Sequence, residues 1–313
     1  MCVTCGCGKA ANVRIDGAPH GEHEHILPDG TRVVHRHEHG HGEGEADLAG
    51  MAFTYVAAHA PHPADGEHAH GAGPVHTHAE PAPAQRREPA REIVTLEAAL
   101  LDKNQRIAER NRSWLAGRHV LALNLMSSPG AGKTTLLVRT LTDLAAELSM
   151  AVVEGDQETN ADAERIRASG ARAVQINTGA GCHLEADMLE RALQTLAPAS
   201  GSIVFVENVG NLVCPALFDL GERARVVMLS VTEGDDKPLK YPHMFRSAQL
   251  MVLTKTDLLP HVRFDAERAE ANARSVNPSI QCLRLSAESG AGLAAWFDWL
   301  RMMWSNLAMQ DVS

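Results

Sequence analysis

The 313-residue chain has no apolar run approaching the roughly 18 residues that a membrane-spanning helix requires. It also lacks the apolar core of a secretory signal near its N-terminus, so a cytoplasmic protein with no membrane partner is expected. Basic residues are in deficit, with 29 Lys and Arg against 39 Asp and Glu and a formal charge of −10. Nucleic acid demands the opposite balance and is not an expected partner. Large apolar residues are scarce before residue 92, so the first ninety residues cannot bury a core of their own. Cysteine is also sparse. The six Cys, three of them bunched at residues 2–7 and Cys182 beside His183, suit reduced thiols acting as ligands better than disulfides.

Histidine is what the N-terminal part has in excess. Of 17 His, 13 lie between His20 and His78, set among Gly, Ala, Pro and Glu with runs such as His35-x-His37-x-His39-x-His41. Imidazole is largely unprotonated near neutral pH and is a common ligand for borderline metals. A flexible tract of this kind would buffer or store Ni(II), Zn(II) or Cu(II). The bland alternative, a solvated linker, does not need so many His. Ahead of it, Cys2, Cys5 and Cys7 form Cys-x-x-Cys-Gly-Cys, three thiolates at metal-site spacing with Gly6 permitting a tight turn. A planar N/S set completed by the terminal amine would suit Ni(II), and a tetrahedral one Zn(II). The segments 26–34 and 51–58 have weak strand or turn character. The chain therefore divides into a Cys motif at 1–10, a disordered His-rich tail at 11–91, and a folded domain at 92–313.

That domain is organised around residues 120–148. An apolar strand from Val120 to Met126 leads into Ser127-Ser128-Pro129-Gly130-Ala131-Gly132-Lys133-Thr134-Thr135, and helical periodicity follows from Thr134 to Leu148. Strand, Gly-rich turn and helix N-terminus together make a cradle of backbone N–H groups for phosphate, with Lys133 reaching the outer phosphates and the Thr134 hydroxyl on Mg²⁺. The pattern departs from G-x-x-x-x-G-K-[ST] in carrying Ser127 at its first position. The expected fold is α/β, a P-loop NTPase with a mostly parallel, doubly wound sheet and helices on both faces.

Around this motif the remaining elements fall into order. An amphipathic helix over 92–117, with Ile93, Leu96, Leu100, Ile107 and Leu115 apolar, should pack on the domain or on a second subunit. The second strand ends in Glu154-Gly155-Asp156, where Asp156 is either a Mg²⁺ or water-positioning group or the N-cap of a helix starting near Thr159. The strand at 171–177 leads to Cys182-His183, and that at 202–206 to Glu207-Asn208-Val209-Gly210 and then Cys214. Glu207 stands where a GTPase senses the γ-phosphate. Cys214 would move with it. Loops at the carboxyl ends of neighbouring strands meet, so Cys182, His183 and Cys214 are expected to form one metal site whose geometry follows the nucleotide. Buried structural cysteine plus surface His is the alternative. The charged loop 232–240 is expected to face a partner. Thr254-Lys255-Thr256-Asp257 supplies a carboxylate for the N1–H and N2–H₂ edge of guanine and a Lys255 stem to cover the base, with Ser286-Ala287 behind it. Cys282 reads as a buried thiol, and Trp296, Trp299 and Trp304 as packing anchors.

These motifs taken together resemble the HypB hydrogenase nickel-incorporation GTPases, relatives of the urease accessory GTPases. The resemblance covers nearly the whole chain. It rests on the Cys2-Cys5-Cys7 motif, the His tract, residues 128–135, Glu154-Gly155-Asp156, Gly181-Cys182-His183 and the 207–215 segment. It implies a GTPase using GTP and Mg²⁺ and handling Ni²⁺ or Zn²⁺; turnover should be slow, because no arginine finger or glutamine is evident in the switch segment. It further implies GTP-dependent homodimerisation, work with a HypA-like nickel/zinc accessory protein, and delivery of nickel to the hydrogenase large-subunit precursor. Carried over residue by residue, it makes Cys2, Cys5 and Cys7 the tight nickel site and Cys182, His183 and Cys214 the weaker site. The competing readings are a metal-storage protein with a secondary GTPase and a P-loop kinase acting on a small molecule, which would need ATP and against which Asp257 argues.

Overall fold

The computed structural model describes residues 14–15, 23–26, 32–35, 89–157, 160–179 and 181–309. The Cys2-Cys5-Cys7 motif and most of the His tract lie outside them. Within the tract, strands β2 (His23–Ile26) and β3 (Arg32–His35) form an antiparallel hairpin, the segment where strand or turn character was expected.

The folded domain is built on one sheet. Its strands are β1 (Arg14–Ile15), β4 (Leu121–Ser127), β5 (Met150–Asp156), β6 (Arg172–Asn177), β7 (Ile203–Glu207), β8 (Ala224–Ser230), β9 (Leu250–Thr254) and β10 (Gln281–Arg284). The order across the sheet is β1-β6-β5-β7-β4-β8-β9-β10, with every pair parallel except the β1–β6 edge. The helices are α1 (Pro89–Ala116), α2 (Lys133–Asp143), α3 (Ala161–Ala168), α4 (Ala186–Leu196), α5 (Lys237–Lys240), α6 (Pro242–Ser247), α7 (Ala266–Val276) and α8 (Leu293–Met309).

The central strand β4 is buried along its whole length, which is why it reads as a continuous apolar run rather than an alternation. Its side chains still alternate between layers. Leu121, Leu123 and Leu125 pack with Leu136 and Leu137 of α2 and Trp296 of α8, whereas Ala122 packs with Leu189 and Leu193 of α4. A third cluster joins Met126 to Phe245 of α6 and Ala273 of α7. The sheet is thus covered on both faces, as expected. The tryptophans of α8 are anchors in fact. Trp296 is fully buried and donates to Thr140 Oγ1 at 2.9 Å, and Trp304 donates to the Gly201 carbonyl at 2.7 Å.

One expectation is met and another is corrected. Helix α1 packs on the domain through Ile107, Ala108 and Leu115, one of the two outcomes expected for it, while Leu100 is 45% exposed. The helix beginning after β5 starts at Ala161 with Asn160 at its N-cap, so Asp156 is not a cap but the last residue of the strand. Among the described residues no helix is long and apolar enough to cross a membrane.

Candidate nucleotide and metal site

The chain leaves β4 at the point where the topology switches direction. Strands β7, β5 and β6 lie on one side of β4 and β8, β9 and β10 on the other, so the crevice beyond its carboxyl end is where an open α/β sheet binds ligands. Residues 127–133 occupy that crevice. Gly130 and Gly132 have φ of +72° and +95°, a left-handed backbone that turns successive N–H groups inward. Lys133 and Thr134 open α2, so its N-terminal partial charge faces the same space.

Polar side chains converge on this loop. Lys133 is buried and donates to Ser127 Oγ at 2.9 Å, which gives the residue at the departing position a use. Burial holds its pKa below the ordinary lysine value, against the pull of the Glu207, Asp162, Glu154 and Asp156 carboxylates. The Thr134 hydroxyl donates to Glu207 Oε1 at 2.8 Å. Thr135 accepts from Arg165 at 3.4 Å, and the Ala131 carbonyl accepts from Thr254 Oγ1 at 2.7 Å. Ser128 Oγ donates to Glu233 Oε2 at 2.6 Å, so one acid of the 232–240 loop turns inward onto the phosphate loop.

Of the residues expected at the base, Lys255 lies across the loop and donates to the Gly130 carbonyl at 2.7 Å. Asp257 is exposed in the 3-10 turn at Thr256–His261. The Thr256 N–H donates to the Leu285 carbonyl at 3.3 Å, which sets this turn beside Ser286 and Ala287.

Glu154 was passed over in the sequence and is a member of the site. Glu154 and Glu207 are register partners on β5 and β7, both at most 4% exposed, and each has one carboxylate oxygen, Oε2, with no hydrogen-bond partner. Burial raises the Glu207 pKa to about 7; burial, then the Glu207 charge, raises that of Glu154 to about 8. Two orphaned hard oxygens beside a threonine hydroxyl fit Mg²⁺. Thr134 and Glu207 would hold it, with Asp156 alongside, and it would supply neutralisation of phosphate charge.

A carboxyl whose pKa is raised by folding costs stability once it ionises. That cost is absent below the unfolded value near 4.5 and grows as pH rises through about 8. Glu154→Gln removes it. The ligand-free variant is expected to match wild type near pH 5 and to exceed it by about 2 kcal/mol at pH 8.5 in urea denaturation.

The second constellation sits beside the first. Cys182 Sγ lies 2.9 Å from Cys214 Sγ and 3.7 Å from His183 Nδ1, and the three candidate ligand atoms fall within 4.8 Å of one another. Their strands are not neighbours as expected, because β5 separates β6 from β7; the two loops meet above the end of β5 instead. His183 is 4% exposed and stacks on Phe218 with centroids 4.0 Å apart. Burial lowers its pKa to about 4, so the imidazole is neutral and its 3.7 Å approach to Glu185 is not an ion pair. Cys282 is a half-buried thiol on β10, apart from this site, and burial raises its pKa.

The two constellations touch. The loop that starts at Glu207 passes so close to the phosphate loop that a Cβ on Gly210 would stand 2.9 Å from Pro129 Cα, and the same loop ends at Cys214.

Fold, phosphate loop and acid-tipped strands define a P-loop nucleotide-binding protein with a Cys2His cluster shared between the loops that follow β6 and β7. The family model for the CobW/HypB/UreG nucleotide-binding domain matches residues 121–284. The hydrogenase maturation factor HypB of Escherichia coli K12 is 48% identical over 300 residues, covering 96% of this chain and 98% of that protein. HypB of Rhizobium leguminosarum bv. viciae is 55% identical over 219 residues, 70% of this chain and 73% of that one. Among solved structures, HypB of Archaeoglobus fulgidus aligns with a TM-score of 0.62 at 41% identity, covering 65% of this chain and all of that one. HypB of Helicobacter pylori in complex with nickel aligns with a TM-score of 0.61 at 37% identity, covering 65% and 96%. The chain belongs to the HypB hydrogenase maturation factors.

Proposed function

We propose that the protein is a GTP-hydrolysing nickel metallochaperone that loads Ni(II) during maturation of [NiFe]-hydrogenase, working in the cytoplasm. The observation that carries this reading is continuity along one loop. Glu207, bonded to the Thr134 hydroxyl, and Cys214, in contact with Cys182, are its two ends. A neutral imidazole and two thiols form a soft donor set that suits Ni(II) or Zn(II).

In this reading Lys133, Thr134, Asp156 and Glu207 act on the phosphates and Mg²⁺, while Gly130, Ala131, Gly132 and Thr135 cradle the phosphate groups. Lys255, Asp257, Ser286 and Ala287 take the guanine. GTP orders the loop and favours a homodimer. Hydrolysis then relaxes residues 207–214 and releases the metal to a HypA-like partner and the hydrogenase large-subunit precursor. Cys2, Cys5 and Cys7 hold nickel tightly, and the His tract stores it.

The guanine assignment has a clean test. Asp257→Asn is expected to shift preference from GTP to xanthosine triphosphate by about 100-fold in competition binding, since a carboxamide sets an NH₂ donor against one of the two donors on the guanine edge. Unchanged GTP preference would refute the assignment. For the metal, His183 Nδ1 faces Cys182 and Nε2 faces Glu185 Oε1 at 3.7 Å, so Glu185 is placed to orient the imidazole as a ligand. Glu185→Gln is expected to weaken nickel at this site by roughly 10-fold or more, read as lost protection of Cys182 from alkylation. The chaperone reading as a whole requires that nickel affinity here differ between GDP and a non-hydrolysable GTP analogue. Equal affinities would leave the storage reading.

A further inference from the structure

A closed circuit of contacts surrounds the metal triad and passes through a residue next to Glu207. Asn208 is 1% exposed. Its Oδ1 accepts from the N–H of Leu184, the residue after His183, at 3.2 Å and from the N–H of Val209 at 3.0 Å. Two backbone donors on the oxygen fix the orientation of the amide, so Nδ2 must be the group that meets Asn124 Oδ1 at 3.2 Å. Asn124, on the otherwise apolar β4, passes the polarity on by donating to Glu222 Oε1 at 3.2 Å.

The circuit closes on the far side of the triad. Glu222, 7% exposed, accepts from Arg225 Nε at 2.5 Å, and Arg225 donates onward to the carbonyls of Ala216 at 3.1 Å and Phe218 at 3.3 Å. Those carbonyls belong to the segment after Cys214, and the Phe218 ring covers His183. One half of the circuit therefore holds the Cys182-His183 loop, and the other holds the Cys214–Phe218 segment. A shift at Asn208 would leave a buried donor or acceptor unpaired unless both halves moved.

We propose that Asn208 is the positioning residue through which the state of the nucleotide site sets the geometry of the Cys182, His183, Cys214 triad, with Asn124 and Glu222 carrying the same displacement to the Cys214 side. The proposal rests on the nucleotide-gated reading above. Glu207 answers to Thr134 and the phosphate; Asn208 is its immediate neighbour and touches neither nucleotide nor metal ligand. The amide is specifically required. A carboxylate at this position accepts from Leu184 and Val209 but cannot donate to Asn124.

The test is peptide-resolved alkylation of Cys182 and Cys214 by iodoacetamide in the full-length protein, titrated with Ni²⁺ alone at saturating GDP or GTP analogue. Cys282 serves as the internal reference, and reading two named cysteines separates this site from the His tract. In wild type the half-protecting nickel concentrations in the two nucleotide states should differ by roughly 5- to 150-fold, the usual range of coupling between sites. Asn208→Asp should bring the two concentrations within about twofold of each other. A merely structural role would shift both and leave their ratio intact. If Asn208→Asp does not fold, Asn124→Ala, which removes the acceptor for Asn208 Nδ2 together with the link to Glu222 and keeps Asn208 itself, must reduce the ratio in the same assay. A wild-type ratio retained by whichever variant is measured overturns the proposal and leaves the chaperone reading standing. A ratio of one in wild type overturns both.

Discussion

Lys133→Ala is expected to lower GTP turnover by at least about 10³-fold, with most of the loss in kcat/KM. Lys133 stands among four carboxylates, Glu207, Asp162, Glu154 and Asp156, all of which act on its pKa. Its ammonium has already been stripped of water, so it faces an incoming phosphate without a desolvation step still to be made. Removing it leaves acids in front of a polyanion. The same change should raise the pKa of Glu207 further, because Lys133 is the largest influence holding it down. Phosphate release measured under saturating and sub-saturating GTP would show both losses. Turnover within tenfold of wild type would mean that the phosphates bind elsewhere.

Cys214→Ala is expected to weaken nickel at the triad by at least about 100-fold and to abolish whatever dependence on nucleotide remains. Cys214 is the only member of the triad on the loop that begins at Glu207; Cys182 and His183 lie on the loop after β6. In the proposed reading alanine thus removes a ligand and, with it, the mechanical connection. Alkylation of Cys182 under nickel titration reads the first effect, and the GDP-to-analogue ratio reads the second. The fold should tolerate the change, since the lost side chain packs at 9% exposure and leaves Pro215 and Leu212 in place. A variant that lost nickel affinity but kept the nucleotide ratio would place the coupling on the Cys182-His183 loop.

Much of this was legible in the chain because it depends on local patterns. The apolar run at 120–126, the glycines before Lys133, and Cys182-His183 each declare themselves within a few residues. What stayed hidden depends on strand order. Insertion of β7 between β5 and β4 sets Glu154 against Glu207, and a strand read alone gives no reason to prefer Glu154 over Asp156 as the acid facing the phosphate loop. The same insertion brings the cysteine loops together across a strand rather than side by side. Asn124 is the plainest case. A single amide in an apolar strand looks like a flaw until its partner, 84 residues along, is in view. Periodicity likewise marks Leu100 as part of an apolar face of α1 but not how far along the helix the domain extends to meet it.

The central claim is that hydrolysis itself opens the metal site, and a single-turnover experiment tests it most directly. Protein loaded with nickel would be mixed with GTP and excess chelator, and the rate at which Cys182 and Cys214 become open to alkylation compared with the rate of phosphate release. The account predicts that the two rates coincide with GTP and that the cysteines stay protected with the non-hydrolysable analogue. Equal rates of exposure with GTP, GDP and the analogue would contradict it.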